Sequence, residues 1–143
     1  MKEDGDALQP LPLRLAPGCD LRRALEATLA ARGCGAAFVL SGIGSLSRAC
    51  LRSAGAPEAR TLNEELEILT LAGSVNAGGS HLHAALANAA GDVLGGHLAY
   101  GCTVRTTAEV LLALLPGWRF AREPDAATGY DELVVARRIE APG

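Results

Sequence analysis

Residues 78–98 read GGSHLHAALANAAGDVLGGHL and hold all three histidines of the 143-residue chain, His81, His83 and His97. Two apolar stretches, HLHAALANA and VLGGHLAYG, flank the turn-forming Ala90-Gly91-Asp92. That pattern predicts a β-hairpin. Side chains alternate faces along a strand, so His81 and His83 share a face, about 6–7 Å apart. The register of the hairpin then decides where His97 falls. A three-residue loop places Ala85 opposite His97, on the His83 face and diagonal to His83. A two-residue loop turns His97 to the other face, and a bulge at Gly95-Gly96 shifts the parity by one.

Three neutral imidazoles on one face, with a water, make an open site for a divalent transition metal. Zinc is the first expectation, ahead of iron, nickel and cobalt. The carboxylates available to support His81, His83 and His97 are Glu65, Glu67, Asp92 and Glu109. If His97 faces away, the three histidines are ordinary surface and interface residues. Other chemistry is weakly encoded. GSL and GGS are not G-x-S-x-G nucleophile elbows, and GIGSL lacks the context of a phosphate loop. H-x-H on a strand also opens the cupin metal motif, but no Glu follows His83 at the cupin spacing.

Outward from the hairpin, the periodicity changes. DLRRALEATLAARG predicts the principal helix, near the N-terminus. Asp20 is its N-cap, and Leu21, Ala24, Leu25, Thr28 and Leu29 form its apolar face, with Gly33 past its end. LPLRLAPG before it reads as a strand. AAFVLS is a short apolar run stopped by GIG, and SLSRACLR returns as a second strand. Ala54 to Ala59 reads as a loop, and EELEILTLAGSV as a long strand. CTVRTTAEVLLALL is ambiguous between helix and strand. REPDAATGYDE reads as a polar loop and ELVVARR as the last strand. One helix with about six or seven short strands is an α+β fold with a mainly antiparallel sheet.

The length suits a single domain. We place it at residues 11–138, between a flexible tail at 1–10 and a C-terminal tail at 139–143. The chain is 49% hydrophobic, with one Trp, two Tyr and two Phe, and carries a formal net charge of −3. Aromatic platforms for single-stranded nucleic acid are therefore scarce. No apolar run is long enough to span a membrane. The acidic start, MKEDGDALQP, lacks the pattern of a signal peptide, so a cytoplasmic location is expected. Cys19, Cys34, Cys50 and Cys102 form no C-x-x-C pair, and free thiols buried as small hydrophobes are expected.

LSGIGSLSRACLR, LEILTLAGSV, HLHAALANAAGDVLGGHL and TGYDELVV, in this order and spacing, resemble the plant-and-prokaryote-conserved (PPC) domain family. The resemblance covers about residues 11 to 138, and the histidine pattern is similar to that of bacterial single-domain members. EELEIL resembles the Gly-Arg-Phe-Glu-Ile-Leu segment of plant members, with Glu64-Glu65 where that motif has Gly-Arg. The resemblance implies an α+β fold assembled as a homotrimer. Plant members join the domain to AT-hooks, and bacterial members carry a DNA-binding label. This chain has no Arg-Gly-Arg-Pro hook and no basic tail. Arg22-Arg23 and Arg137-Arg138 are its tightest basic pairs, the former expected on the solvated side of the helix.

Three functions follow as expectations. The first is a homotrimeric PPC-domain protein with a metal site at His81, His83 and His97 and a regulatory or ligand-binding role. The second is a DNA-binding accessory protein, which needs phosphate neutralisation by Lys and Arg. The third is a metal-dependent enzyme whose reaction the sequence does not assign.

Overall fold

The computed structural model describes residues 6–139. Positions 1–5 of the expected N-terminal tail and 140–143 of the C-terminal one lie outside the described residues. Among the described residues, nine strands and one helix follow in the order β1 (Gln9–Leu15), α1 (Leu21–Ala31), β2 (Ala37–Arg52), β3 (Arg60–Leu62), β4 (Leu66–Val75), β5 (His81–Ala87), β6 (Val93–Leu98), β7 (Thr103–Leu114), β8 (Trp118–Asp125) and β9 (Tyr130–Arg137). All strand pairings are antiparallel. Among the described residues, no helix is long and apolar enough to cross a membrane.

The helix forms where its pattern places it. The Asp20 carboxylate accepts the Arg23 amide at 3.0 Å and the Gly101 amide at 2.6 Å, so the cap also ties the helix to the start of β7. At the other end, the amides of Gly33 and Cys34 return to the carbonyls of Ala30 and Leu29, a Schellman closure with Gly33 at φ +61°. Leu21, Leu25 and Leu29 are fully buried, in a helix that touches β4 and β7.

The main sheet runs β1-β7-β2-β4-β5-β6, with β3 paired to β2. AAFVLS and SLSRACLR are not two strands. They are parts of the 16-residue β2, which passes through GIG without stopping. Gly44 permits this: it sits at φ +142°, and a Cβ there would lie 2.5 Å from the Thr107 carbonyl oxygen. The GIG segment is therefore an irregular stretch of strand, with register shifts against β7 on either side of it.

This long strand also closes the fold. Its first part pairs with β4, and Leu51 and Arg52 at its end pair with Leu98 and His97 of β6. The path β2-β4-β5-β6 thus returns to β2, around a core that includes Leu46, Leu66, Leu82, Leu86 and Leu98.

Three other segments differ from expectation. Strand β1 begins at Gln9, opposite Leu114, so Gln9 and Pro10 belong to the sheet and not to a tail. The ambiguous CTVRTTAEVLLALL is strand β7, paired on one side with β1 and on the other with β2. Satisfying its backbone from both neighbours overrides the helix propensity of its Ala and Leu residues. REPDAATGYDE is mostly a hairpin arm, because β8 and β9 pair from Trp118↔Arg137 to Asp125↔Tyr130. This hairpin is joined to the main sheet by Phe120, edge-on to Phe38 at 5.5 Å between ring centres, and by its amide on the Gly35 carbonyl.

Candidate metal centre and its cleft

The site is built on the β5–β6 hairpin. In β5, Leu82, Ala84 and Leu86 point into the core while His81 and His83 are exposed on the opposite face. His97 on β6 pairs directly with His83, not diagonally as a three-residue loop implies. The loop has five residues, Asn88 to Asp92, so the ladder starts at Ala87↔Val93. Asn88 causes this: its side-chain oxygen accepts the amides of Ala90 and Asp92 at 3.0 and 2.9 Å. The shift is two residues, which preserves parity and keeps His97 on the His83 face. Gly95-Gly96 is not a bulge against β5, since the register there is continuous. Gly96 instead lets β2 approach: a Cβ on it would lie 2.7 Å from the Arg52 carbonyl oxygen.

The three rings converge. His81 Nε2 lies 3.0 Å from His97 Nδ1 and 3.2 Å from His83 Nε2. One nitrogen from each ring falls within 4.8 Å of the other two. For three nitrogens on a tetrahedral zinc at its usual bond length, edges of about 3.3 Å are expected. His81 Nε2 faces two other ring nitrogens, yet a ring nitrogen is either donor or acceptor, never both at once. A cation at the centre satisfies all three lone pairs together. The donor set therefore fits a divalent metal.

The electrostatics favour the neutral form of two of the rings, His81 and His97, as ligation requires. The His81 pKa is lowered, first by loss of water around the ring, then by the Arg122 guanidinium and the neighbouring imidazoles, with Glu132 opposing. That of His97 is lowered by desolvation, then by Arg52 and His83.

Beside the histidines opens a cleft of about 700 Å³, lined among others by Arg22, Arg52, His81, His97, Arg122 and Glu132. None of the four carboxylates suggested by the sequence lines it. Glu65 is paired with Arg105 at 3.0 Å, Asp92 lies in the hairpin loop, Glu109 is opposite Arg14 and Ile43, and Glu67 is opposite Ala87, at the far end of β5. The acids of the cleft are Asp131 and Glu132, from the hairpin expected as a loop. The turn-forming Gly129, at φ +78°, followed by the strand-favouring Tyr130 and Leu133-Val134-Val135, is the signal that reaches them. Arg22 and Arg23 are not simply solvated either, because both guanidiniums stack on the Tyr100 ring, at 4.2 and 4.3 Å. Cys102 alone of the cysteines is fully buried, and burial pushes its thiol up to about 11; Cys19, Cys34 and Cys50 are half-buried.

Residues 2–116 match the family profile of the Plants and Prokaryotes Conserved (PCC) domain. The chain is 50% identical over 135 residues to a bifunctional protein GlmU of Synechococcus sp. (strain JA-3-3Ab), covering 94% of this chain and 22% of that protein. It thus spans about a fifth of that curated relative. A solved hypothetical protein from Salmonella cholerae-suis superimposes with TM-score 0.89 at 37% identity, over 95% of this chain and 99% of that one. A metal-containing protein from Archaeoglobus fulgidus does so with TM-score 0.77 at 31% identity, over 94% of this chain and 99% of that one.

Proposed function

The chain belongs to the Plants and Prokaryotes Conserved domain family, and on that premise we propose that it is a homotrimeric metal-binding protein with a regulatory or ligand-binding role. His81, His83 and His97 hold the metal, with zinc the first choice. The observation that carries this reading is the approach of three imidazole nitrogens at 3.0 and 3.2 Å on the wall of an open cleft. Three protein ligands leave a fourth position for water or a ligand. The description of the Archaeoglobus relative as metal-containing supports it. Elemental analysis of natively purified chain tests it. About one metal per chain is expected, falling sharply in His83→Ala; less than about 0.2 per chain, unchanged by that substitution, sinks the reading.

The homotrimer draws support from an apolar surface. Leu40, Ile43 and Leu69 are about half exposed. Leu40 and Leu69 sit at register shifts of β2 and β4, which leave them outside the paired ladder. Exposed aliphatics on the paired strands β2 and β4 suit contact with another subunit.

The DNA-binding alternative draws less support. The net charge is −3, and a trimer multiplies that charge, which opposes approach to a polyanion. A mobility-shift assay at low salt discriminates, because phosphate contacts are strongest there.

A further inference from the structure

We propose that the cleft beside the three histidines binds a small organic dianion, carboxylate or phosphate, with one anionic group reaching the metal and the rest of the charge held by arginines. The inner contact rests on the metal reading above; the arginine contacts stand on their own geometry.

Three guanidiniums from three elements line the cleft: Arg22 from α1, Arg52 from β2 and Arg122 from β8. Arg52 is paired with His97 across the β2–β6 ladder, so it flanks that end of the histidine cluster. Arg122 reaches Ser74 Oγ at 3.1 Å, and Ser74 is the ladder partner of His81. It therefore flanks the other end. Cations on two sides of a metal centre suit a ligand with two separated anionic groups.

Arg52 and Arg122 are anchored without being neutralised. Arg52 donates Nη1 to the Ala56 carbonyl at 3.3 Å, and Arg122 donates Nε to the Gly79 carbonyl at 3.3 Å. Among the described residues, neither makes an ion pair with a carboxylate. Arg22 is held by stacking on Tyr100, and its buried Nε has no hydrogen-bond partner. Arg22 is ion-paired with Glu26, whose oxygen is 3.5 Å from that Nε and whose carboxylate also accepts the Tyr100 hydroxyl, so Arg22 lends less free charge than Arg52 and Arg122. Donors held in place by neutral partners leave their charge for an incoming group. A planar guanidinium matches carboxylate and phosphate oxygens in pairs. Asp131 and Glu132 also line the cleft and offset part of this charge, but a divalent metal restores a positive balance. A volume of about 700 Å³ is of the size that small molecules occupy.

The experiment is a calorimetric and visible-absorption titration of the full chain loaded with cobalt(II), using succinate and phenyl phosphate as probes. Cobalt content is measured on every sample. Saturable binding of at least one probe with a change in the cobalt spectrum is expected, and the probe preferred identifies carboxylate or phosphate as the source. Arg52→Gln and Arg122→Gln should each weaken binding by about tenfold or more at unchanged cobalt content. A chain that holds cobalt but binds neither probe overturns this proposal and leaves the metal reading standing. So does binding undiminished in the double variant. A chain that holds no cobalt yet binds a probe in an arginine-dependent way overturns the shared contact and the metal reading, leaving an anion site alone.

Discussion

His83 stands directly opposite His97 across the β5–β6 ladder. This one pairing places an imidazole from each strand on the same face, while His81, two residues along, supplies the third. The centre is therefore a property of strand register, held by the Asn88 loop at one end and the closure of β6 onto β2 at the other.

Replacing His97 should remove the metal without unfolding the chain, because its side chain is half-exposed, on the face of β6 opposite the buried Leu98. His97→Ala is expected to lose about 100-fold or more in zinc affinity, more than loss of a supporting partner usually costs. Competition titration against a chromophoric chelator measures it. Wild-type affinity in the variant would contradict the three-histidine centre.

Acid should destabilise the metal-free chain in the histidine range. His81 and His97 have lowered folded pKa values, so the unfolded chain, with histidine pKa about 6.5, binds more protons. Their contribution is fully present above that value and is lost as pH falls through the folded values. Protons also compete with metal for the same nitrogens, so metal release follows the same direction. Thermal midpoints from pH 8 to pH 5, compared with those of the His81→Gln, His97→Gln double variant, read the effect. Equal slopes in the two proteins would exclude it.

Asp20→Ala should destabilise the fold by about 1–2 kcal/mol, since it removes a helix N-cap. The same carboxylate also accepts the Gly101 amide ahead of β7. Asp20→Asn should recover much of the loss, because an amide oxygen caps nearly as well. Urea denaturation distinguishes these outcomes; a neutral alanine variant would mean the cap contributes nothing.

Leu40→Glu and Leu69→Glu should break the proposed subunit contact, because each puts a charge on an exposed apolar surface. Light scattering should report about 44 kDa for the wild type, three times the 14.7 kDa chain. The variants should fall toward one chain mass with their far-ultraviolet dichroism intact. A wild type that is already a monomer would remove the trimer.

Much of this architecture was legible locally. Asp20, the Leu21-Leu25-Leu29 stripe and Gly33 encode the helix within one stretch of chain, and the structure agrees at each position. The β5–β6 hairpin and the long β4 were legible for the same reason. The errors share a cause: they depend on what lies across the ladder. GIG is strand because Gly44 admits the Thr107 carbonyl, and Ala108 to Leu114 extend because β1 and β2 flank them. The arginine wall was invisible because Arg22, Arg52 and Arg122 are far apart in sequence.

The sequence by itself determined the α+β class, the family pattern, the helix and the presence of all three histidines in one hairpin. Those features arise from periodicity and turn chemistry, which act over a few residues. Only the tertiary structure decided that the imidazoles converge and that Arg52 and Arg122 flank them. Convergence depends on ladder register and on closure of β2 onto β6, and these are settled by the packing of distant strands around one shared core.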